Sequence, residues 1–255
     1  MPVSLVTGAT AGIGAAFAKA LAARGDDLVL VARDAERLAA TAADLRTTFG
    51  VSVEVLRADL GVEADLLTVA ARLEDPKRPI ELLVNNAGFG LHSPLLDPDT
   101  SRHRDALDVM CYAVLVLGGA AARAMKTRER GQIINLSSLA SWISQGNYSA
   151  VKVWVRSYSE GLANEVHGSG VNVMALCPGW VRTEFHQRAG IRTSSLPDWV
   201  WVEADRVAQH ALRDAARGKV ICIPAKRWKV AKTLLSVAPA RAVRAVARAL
   251  ARSRA

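Results

Sequence analysis

Short apolar runs alternate with longer segments of helical periodicity along the first 225 residues of the chain. The apolar runs predict strands at 3–7, 28–32, 51–57, 80–84, 132–136, 171–176 and 220–223. The periodic segments predict helices over 14–24, 34–48, 99–127 and 147–167. This alternation predicts a single doubly wound α/β domain, with a mostly seven-stranded parallel sheet and helices on both faces.

Beyond the last strand the composition changes. Residues 226–255 contain nine Lys and Arg and no Asp or Glu, whereas the rest of the chain carries equal numbers of basic and acidic residues. The whole net charge of +9 therefore belongs to this segment. We divide the chain into a domain, 1–225, and a basic amphipathic C-terminal tail, 226–255. The tail could lie on an anionic membrane, pack on a partner subunit or remain solvated and frayed. No motif for reading nucleic acid accompanies the charge, so a nucleic-acid partner is not expected.

Cysteine and histidine usage indicates neither a disulfide framework nor a metal site. Cys111, Cys177 and Cys222 are far apart in the sequence, and the five His residues lack ligand spacing. His186, near a presumed lid, is the one His that merits a test. The N-terminus lacks a signal-peptide pattern, and no apolar run is judged long enough to span a bilayer. We therefore predict a reducing, cytoplasmic location, with peripheral membrane contact through the tail as a further possibility.

The first strand runs into the glycine-rich segment Thr7-Gly-Ala-Thr-Ala-Gly-Ile-Gly14. Gly8, Gly12 and Gly14 allow a tight turn that brings backbone N–H groups close to a pyrophosphate, and the helix that follows presents its positive end. A strand before the glycines and a helix after them are the context of a Rossmann-type dinucleotide site. The alternative is a glycine-rich turn that binds nothing.

The end of the second strand bears on the choice of dinucleotide. Many NAD-specific domains place an acidic residue here to hold the ribose 2′-hydroxyl, but this chain has Ala32 followed by Arg33. A guanidinium suits a 2′-phosphate, so NADP(H) is favoured and NAD(H) remains possible. The alternative is that Arg33 is a solvated residue paired with Asp34.

A candidate acid–base pair follows the fifth strand. Tyr148 and Lys152 are four residues apart and share one helical face. A neighbouring ammonium lowers the pKa of a phenol, which makes Tyr148 a usable proton donor or acceptor near neutral pH. Ser138, at the end of the strand, can hydrogen-bond a substrate oxygen. The alternative is a surface Tyr and Lys that merely share a face.

At this point the chain resembles a short-chain dehydrogenase/reductase over nearly all of residues 3–225. The motifs that carry the likeness are Thr7-Gly-Ala-Thr-Ala-Gly-Ile-Gly14, Asp59-Leu60, Asn85-Asn-Ala-Gly88, Ser138, Tyr148-x-x-x-Lys152 and Cys177-Pro-Gly-Trp-Val-Arg-Thr183. The resemblance implies that Tyr148 is the acid/base, that Lys152 binds the nicotinamide ribose and lowers the Tyr148 pKa, and that Ser138 orients the carbonyl.

The resemblance also implies the cofactor contacts. Asp59 would contact the adenine, and Asn86, Ala87 and Gly88 would flank the adenosine ribose and stabilise the sheet. The nicotinamide and its phosphate would be bordered by Pro178, Gly179, Val181 and Thr183. The expected cofactor-binding set comprises Gly8, Thr10, Gly12, Ile13, Gly14, Arg33, Asp59, Leu60, Asn86, Ala87, Gly88, Tyr148, Lys152, Pro178, Gly179, Val181 and Thr183. A homodimer or homotetramer is implied as well.

Two departures from the family pattern stand out. Family members usually place an Asn on the long central helix, where it supports a water-mediated proton relay to the Lys. That position is Met110 here, and a thioether cannot replace the hydrogen bonds of an amide. The segment between Ser138 and Tyr148 is also a few residues shorter than usual, which alters one wall of the substrate pocket.

The sequence thus predicts an NADP(H)-dependent oxidoreductase that interconverts a carbonyl and an alcohol. The substrate side is expected to include Trp142, Ile143, Trp180, Phe185, Trp199 and Trp201, which suggests a bulky apolar substrate. Trp199 and Trp201 could instead pack a lid helix, and 184–198 is the expected lid. The alternative function is a dinucleotide-binding regulatory or scaffold protein with weak or lost catalysis, which the Met110 departure motivates.

Overall fold

The computed structural model describes residues 1–91, 93–184, 197–239, 241–245 and 247. The strands are β1 (Val3–Thr7), β2 (Asp27–Ala32), β3 (Val53–Arg57), β4 (Leu82–Asn85), β5 (Gly131–Leu136), β6 (Val171–Leu176), β7 (Val181–Arg182), β8 (Val202–Glu203) and β9 (Ile221–Cys222). The helices are α1 (Gly12–Ala23), α2 (Ala35–Phe49), α3 (Glu63–Glu74), α4 (Ser101–Leu107), α5 (Ala113–Thr127), α6 (Gly146–Glu165), α7 (Ala204–Ala215) and α8 (Lys226–Val237).

Seven of these strands form one parallel sheet in the order β3-β2-β1-β4-β5-β6-β9. The order changes direction between β1 and β4, and ligands of such sheets bind beyond the carboxyl ends of the strands at this switch point. The doubly wound α/β fold that the sequence predicts is therefore confirmed. The short strands β7 and β8 pair separately, beyond the carboxyl end of β6.

Helices cover both faces of the sheet and bury two apolar layers. Phe17 and Leu21 of α1, with Val207 of α7, belong to one layer. Leu66 of α3 and Leu117 of α5 belong to the other. Strands that are buried on both faces consist of continuous apolar residues, so their positions could be predicted from the sequence.

Some elements differ from the sequence prediction. The helices α3 and α7 were not predicted, although Leu66, Val69 and Leu73 of α3 follow helical spacing and are buried. The predicted helix over 99–127 begins at Ser101, and a π-helical turn at Asp108–Tyr112 separates α4 from α5. The fourth strand begins at Leu82 rather than at residue 80.

The expectation that no segment could span a bilayer needs correction. The helical stretch Ser101–Thr127 is long and apolar enough to do so by length and composition. Its most apolar window is 56% buried inside the fold. A helix between a sheet and a neighbouring helix needs an apolar face for packing, so this composition fits a core helix.

The first part of the basic segment packs on the domain, an arrangement outside the three that we considered. Trp228 of α8 contacts the apolar layer formed by α1 and α7 and lies against Gly179. Arg227 donates a hydrogen bond to the backbone carbonyl of Trp201 at 2.6 Å, and the Lys232 ammonium lies 5.9 Å from the ring centroid of Trp142.

Candidate active site

A cleft of about 1710 Å³ opens at the carboxyl ends of the central strands. The predicted catalytic residues Ser138, Tyr148 and Lys152 all line it. So do the predicted cofactor-binding residues Gly8, Thr10, Gly12, Ile13, Arg33, Asp59, Leu60, Asn86, Ala87, Gly88, Pro178, Gly179, Val181 and Thr183. Residues far apart in the chain are thus gathered on one concave surface.

Gly14 does not line the cleft, because it is packed beneath the glycine-rich loop. A Cβ atom there would lie 2.1 Å from the carbonyl oxygen of Gly8 and 2.4 Å from Nδ2 of Asn86, so no larger residue fits. Gly8 and Gly12 have φ values of +64° and +54°, in the region that favours glycine. The loop thus leaves a cradle at the N-terminus of α1, which fits the pyrophosphate of a dinucleotide.

Asn86 and Thr7 hold this loop in place. The Thr7 hydroxyl accepts hydrogen bonds from the backbone N–H groups of Asn86, at 2.9 Å, and Ala87, at 3.0 Å. The Asn86 amide donates to the carbonyls of Thr7, at 2.8 Å, and Gly8, at 3.2 Å. Asn86 therefore joins the end of β4 to the end of β1. Thr7 was not predicted as a site residue, because its role depends on two strands distant in sequence.

Two exposed guanidinium groups stand at the end of the cleft beside β2. Arg33 Nη1 lies 3.8 Å from Asp59 Oδ2, and Arg37 Nη2 lies 3.5 Å from Glu184 Oε2. The Asp34 carboxylate caps α2 by accepting the Arg37 N–H at 3.0 Å. The alternative pairing of Arg33 with Asp34 is therefore not the one observed. Arg37, one helical turn after Arg33, is a second cation that the sequence prediction overlooked.

Lys152 lies at the base of the cleft, where it is 4% exposed. Its ammonium donates a hydrogen bond to the Leu136 carbonyl at 2.9 Å and lies 5.6 Å from the ring centroid of Tyr148. Burial lowers the pKa of Lys152 to about 8, since a cation is disfavoured away from water. Ser137 fixes the start of α6 against β5 by donating to the Lys152 carbonyl at 2.7 Å. The pair predicted from helical spacing therefore meets at the cleft.

Ser138 begins a short 3₁₀ turn, Leu139–Trp142, and its hydroxyl accepts the N–H of Ala140 at 3.1 Å. A hydroxyl that already accepts a backbone hydrogen bond keeps its own proton available for donation. Ser138 can therefore donate to a substrate oxygen, and Tyr148 can exchange a proton with it. A nicotinamide dinucleotide, when bound, would supply or accept the hydride, while these residues would position the substrate and move the proton.

Met110 is buried in the π-helical turn. Its side chain packs with Ala106, Cys111 and Val151, and its sulfur lies 3.0 Å from where a Cβ of Gly88 would be. The thioether thus packs behind Gly88, in the loop after β4. The effect of this residue on proton supply stays a prediction.

The substrate side differs in part from the prediction. Ile143 and Trp180 line the cleft, whereas Trp142, Trp199 and Trp201 do not. Trp201 packs edge-on against Trp180, with 5.7 Å between ring centroids, so it supports the wall from behind. Phe185, His186 and most of the expected lid lie outside the described residues. Phe89 and Leu91 also line the described part of the cleft.

Trp228 is a wall residue that the sequence prediction assigned to the tail. A Cβ on Gly179 would lie 2.4 Å from its indole, so the absence of a side chain at Gly179 lets α8 close against the cleft. Ala231 and Leu235 follow Trp228 on the same face of α8 and also line the cleft. The helix is therefore part of the candidate site.

One cluster of metal-ligating side chains occurs in the described part of the chain, formed by His210, Asp214 and Cys222. The Lys219 ammonium lies 2.6 Å from Asp214 and already neutralises this carboxylate. Burial raises the pKa of the Cys222 thiol, which keeps it protonated. We interpret the cluster as part of an ion pair between the buried Asp214 of α7 and the partly exposed Lys219, just before β9.

Comparison with known proteins decides the family. The family model described as short chain dehydrogenase matches residues 2–192. The chain belongs to the short-chain dehydrogenase family. The gluconate 5-dehydrogenase of Gluconobacter oxydans is 31% identical over 200 residues, which cover 77% of each chain. The family is one of oxidoreductases, so the chain is a nicotinamide-dependent oxidoreductase acting on the alcohol–carbonyl pair.

Solved structures agree with this membership. A short-chain dehydrogenase from Sphingobium yanoikuyae, in complex with NADPH, has 36% identity and a TM-score of 0.84, covering 94% of this chain and 96% of its own. The bulky-bulky ketone specific alcohol dehydrogenase from Comamonas testosteroni has 29% identity and a TM-score of 0.79, with the same coverage. The similarity therefore extends over nearly the full length of both chains.

Proposed function

We propose that the protein is an NADP(H)-dependent reductase/dehydrogenase for bulky apolar ketones and the corresponding secondary alcohols. The observation that carries this proposal is the single cleft that joins the glycine cradle, two guanidinium groups, the Ser138–Tyr148–Lys152 set and an apolar wall. Each part has a distinct task in hydride transfer between a dinucleotide and a carbonyl.

The preference for NADP(H) is supported by Arg33 and Arg37. At the β2 end of the cleft, the side chain of Arg33 is 72% exposed and that of Arg37 is 44% exposed, and their ion pairs with Asp59 and Glu184 are longer than 3.4 Å. Long pairs between exposed groups are weak, so both guanidinium groups can reorient toward a 2′-phosphate. The Sphingobium relative was solved with NADPH, which agrees with this choice.

The substrate class is supported by the composition of the other end of the cleft. Five large apolar side chains line the cleft here, namely Phe89, Leu91, Ile143, Trp180 and Trp228. Polar residues that include Arg102, Gln145 and Asn147 line it as well. The large apolar side chains favour bulky hydrocarbon substituents on the carbonyl, and the polar groups can fix the orientation of the substrate. The name of the Comamonas relative states a ketone substrate of this kind.

Tyr148→Phe tests the proposed acid directly. We expect NADPH oxidation with a bulky aryl ketone to fall by about 10²- to 10⁴-fold, since a general acid contributes about this much. NADPH affinity, measured by fluorescence titration, should change little. Tyr112→Phe is the matched control, because Tyr112 lies outside the cleft. Equal turnover by wild type and Tyr148→Phe would remove Tyr148 from the mechanism.

A broad ketone panel separates this function from the regulatory alternative. Tight NADPH binding without turnover of any panel member would favour a dinucleotide-binding scaffold instead. We also propose that the protein acts in the cytoplasm as a homodimer or homotetramer.

A further inference from the structure

The most exposed apolar side chains of the described residues lie next to residues that line the cleft. Apart from Met1, the six most exposed large hydrophobic side chains among the described residues are Leu95, Leu96, Trp199, Val230, Leu234 and Val237. Leu96 is 95% exposed and Val237 is 75% exposed. Soluble proteins rarely expose several large apolar residues close together, and such patches mark contact surfaces.

These six side chains belong to three segments that also line the cleft. Leu95 and Leu96 follow the lining residues Ser93 and Pro94. Trp199 precedes Val200, another lining residue. Val230 and Leu234 alternate with Ala231 and Leu235 along α8. The three segments come from different parts of the chain, so their common position at the cleft is a product of the fold.

The helix α8 carries two apolar stripes. Trp228, Ala231 and Leu235 form the stripe that faces the cleft. Val230, Leu234 and Val237 recur at helical spacing and form a second stripe, which is exposed. An exposed apolar stripe has no role in packing the domain.

Cations flank the exposed stripe. Lys226 and Lys229 lie on one side of it by helical position, and Arg227 lies on the other. Arg244, farther along, lines the cleft. Because 226–255 has no Asp or Glu, no acidic side chain within this segment offsets these charges. Apolar residues bordered by cations are the composition of a helix that lies in the interface of an anionic bilayer.

We propose that α8, together with Leu95, Leu96 and Trp199, docks this protein on an anionic phospholipid surface, with the mouth of the cleft toward the bilayer. The apolar side chains would enter the headgroup region, and the flanking cations would pair with lipid phosphates and carboxylates. This surface contact is independent of catalysis.

An acidic carrier protein is a second partner that would complement the positive charge of this surface, although not its apolar side chains. The 3-oxoacyl-(acyl-carrier-protein) reductase of Escherichia coli is 31% identical to this chain over 198 residues, so such a partner has a precedent among relatives. However, a contact based on charge has no need for six highly exposed apolar side chains. The combination of charge and exposed apolar area favours the bilayer.

The docking has a consequence that rests on the proposed function. A hydrophobic ketone or alcohol partitions into lipid, and a cleft that opens on the bilayer would receive it without passage through water. Membrane-partitioned substrates should then gain in rate when vesicles are present, whereas small water-soluble ketones should not.

Co-sedimentation of the full-length protein with vesicles tests the docking. We expect binding to vesicles of phosphatidylcholine with roughly one third phosphatidylserine and little binding to pure phosphatidylcholine. Raising the salt from about 0.05 M to about 0.5 M should weaken the binding, because screening shortens the reach of the cations.

Two pairs of variants localise the surface. Leu234→Glu should weaken vesicle binding by about 10- to 100-fold, because one large apolar group no longer enters the interface. Leu67→Glu, at an exposed position on α3, should leave it unchanged. Lys229→Gln should weaken binding about fivefold. Lys77→Gln should not, because Lys77 precedes β4 and lies at the amino-terminal ends of the strands, opposite the cleft.

Each other result overturns the proposal. Absence of binding to anionic vesicles at low salt would refute it, as would equal losses for Leu234→Glu and Leu67→Glu. A smaller sedimenting mass for Leu234→Glu would make the stripe a contact between copies. Capture of an acidic acyl carrier protein without vesicle binding would assign the surface to that partner. Leu234→Glu should still reduce a water-soluble ketone at the wild-type rate. A loss of vesicle binding in this variant can then be told apart from a failure of the proposed function.

Discussion

The buried amine of Lys152 makes the charge at the base of the cleft depend on pH. Its hydrogen bond to the Leu136 carbonyl satisfies one of its three N–H donors. Burial lowers its pKa to about 8, against an ordinary value above 10. The group is therefore mostly charged at neutral pH and becomes neutral a little above it.

We expect kcat/KM for NADPH to fall as the pH rises through about 8. Loss of the Lys152 charge removes the cation that favours the phenolate form of Tyr148 and that would hold the cofactor ribose. The measurement is kcat/KM for NADPH against pH, because this ratio reports groups of the free enzyme. In Lys152→Arg, whose guanidinium does not titrate in this range, the fall should disappear. The same inflection in that variant would point to another group.

Arg33 should govern the choice between the two dinucleotides. We expect Arg33→Ala to weaken NADPH binding by about 10- to 100-fold and NADH binding by much less, because only NADPH offers a 2′-phosphate to the guanidinium. Fluorescence titration with both cofactors measures this. Arg123→Ala, a distant exposed Arg paired with Glu74, is the control. Equal losses of both cofactors for Arg33→Ala would defeat the assignment.

Most individual site residues were predictable because their motifs are local. Gly8, Gly12, Tyr148 and Lys152 are recognised by spacing within one strand–loop–helix unit or one helical turn. Thr7 and Arg37 were missed, since their roles depend on Asn86 and Glu184, which only the fold brings near. The aromatic residues of the substrate side were the least predictable, because loops, not periodic elements, set their direction.

The contact between α8 and the loop after β6 is the tightest feature of the cleft wall. Gly179→Ala would place a methyl group 2.4 Å from the Trp228 indole, so α8 must shift. We expect a loss of about 1–3 kcal/mol in unfolding free energy and a higher KM for bulky ketones. The checks are denaturant unfolding and steady-state kinetics.

Gly161→Ala is the matched control for this substitution. Gly161 lies inside α6, and nothing surrounds its missing side chain within 4 Å. Alanine there should stabilise the protein by about 0.5–1 kcal/mol. Adding Trp228→Leu to Gly179→Ala should recover part of the lost stability by relieving the overlap. If the double variant recovers no stability, the loss in Gly179→Ala does not come from overlap with the Trp228 indole.

The two helices that the sequence prediction missed, α3 and α7, differ in the strength of their local signals. The helix α7 is clearly amphipathic, with Val207, Ala208, Ala211 and Ala215 buried and charged side chains on the opposite face, so its pattern was available in the sequence. The helix α3 lacks a capping side chain at Val62, which removes the usual sign of a helix start. Of the two missed helices, α3 therefore lacked a local start signal, whereas α7 could have been predicted from its periodicity.

The folded chain exposes a second group of apolar side chains, on α6 and on α5 with the π-helical turn before it. Tyr112, Leu115 and Val153 are more than one third exposed, and Tyr158 stacks on Trp154 beside them. A homodimer or homotetramer that pairs these helices would cover this surface. The oligomer was expected by family resemblance, and these exposures are compatible with it.

We expect Leu115→Glu to halve the mass of the protein in sedimentation equilibrium, because a carboxylate would be buried at the predicted contact. Leu67→Glu should keep the wild-type mass, since its exposed leucine lies on α3. An unchanged mass for Leu115→Glu would place the contact between subunits on another surface. A monomeric wild type would refute the predicted oligomer itself.

The composition of 226–255 led us to separate it from the domain, yet α8 closes the cleft. Charge alone could not reveal this, because the decisive contact joins Trp228 to a glycine that lies 49 positions earlier in the sequence. Long-range packing of this kind is specified by shape, which composition does not record.

The three cysteine thiols are buried, so the native state reacts slowly with oxidants and alkylating agents. Burial raises the pKa of Cys111 to about 11 and that of Cys177 to about 12, and it raises that of Cys222 as well. Thiolates are the species that oxidants and alkylating agents attack, so the folded chain offers almost none. A thiol can therefore be modified only when the structure around it opens. The rate of thiol labelling then measures the frequency of this local opening. The cysteines are thus reporters of conformational opening at the π-helical turn, through Cys111, and at the β6–β9 edge, through Cys177 and Cys222.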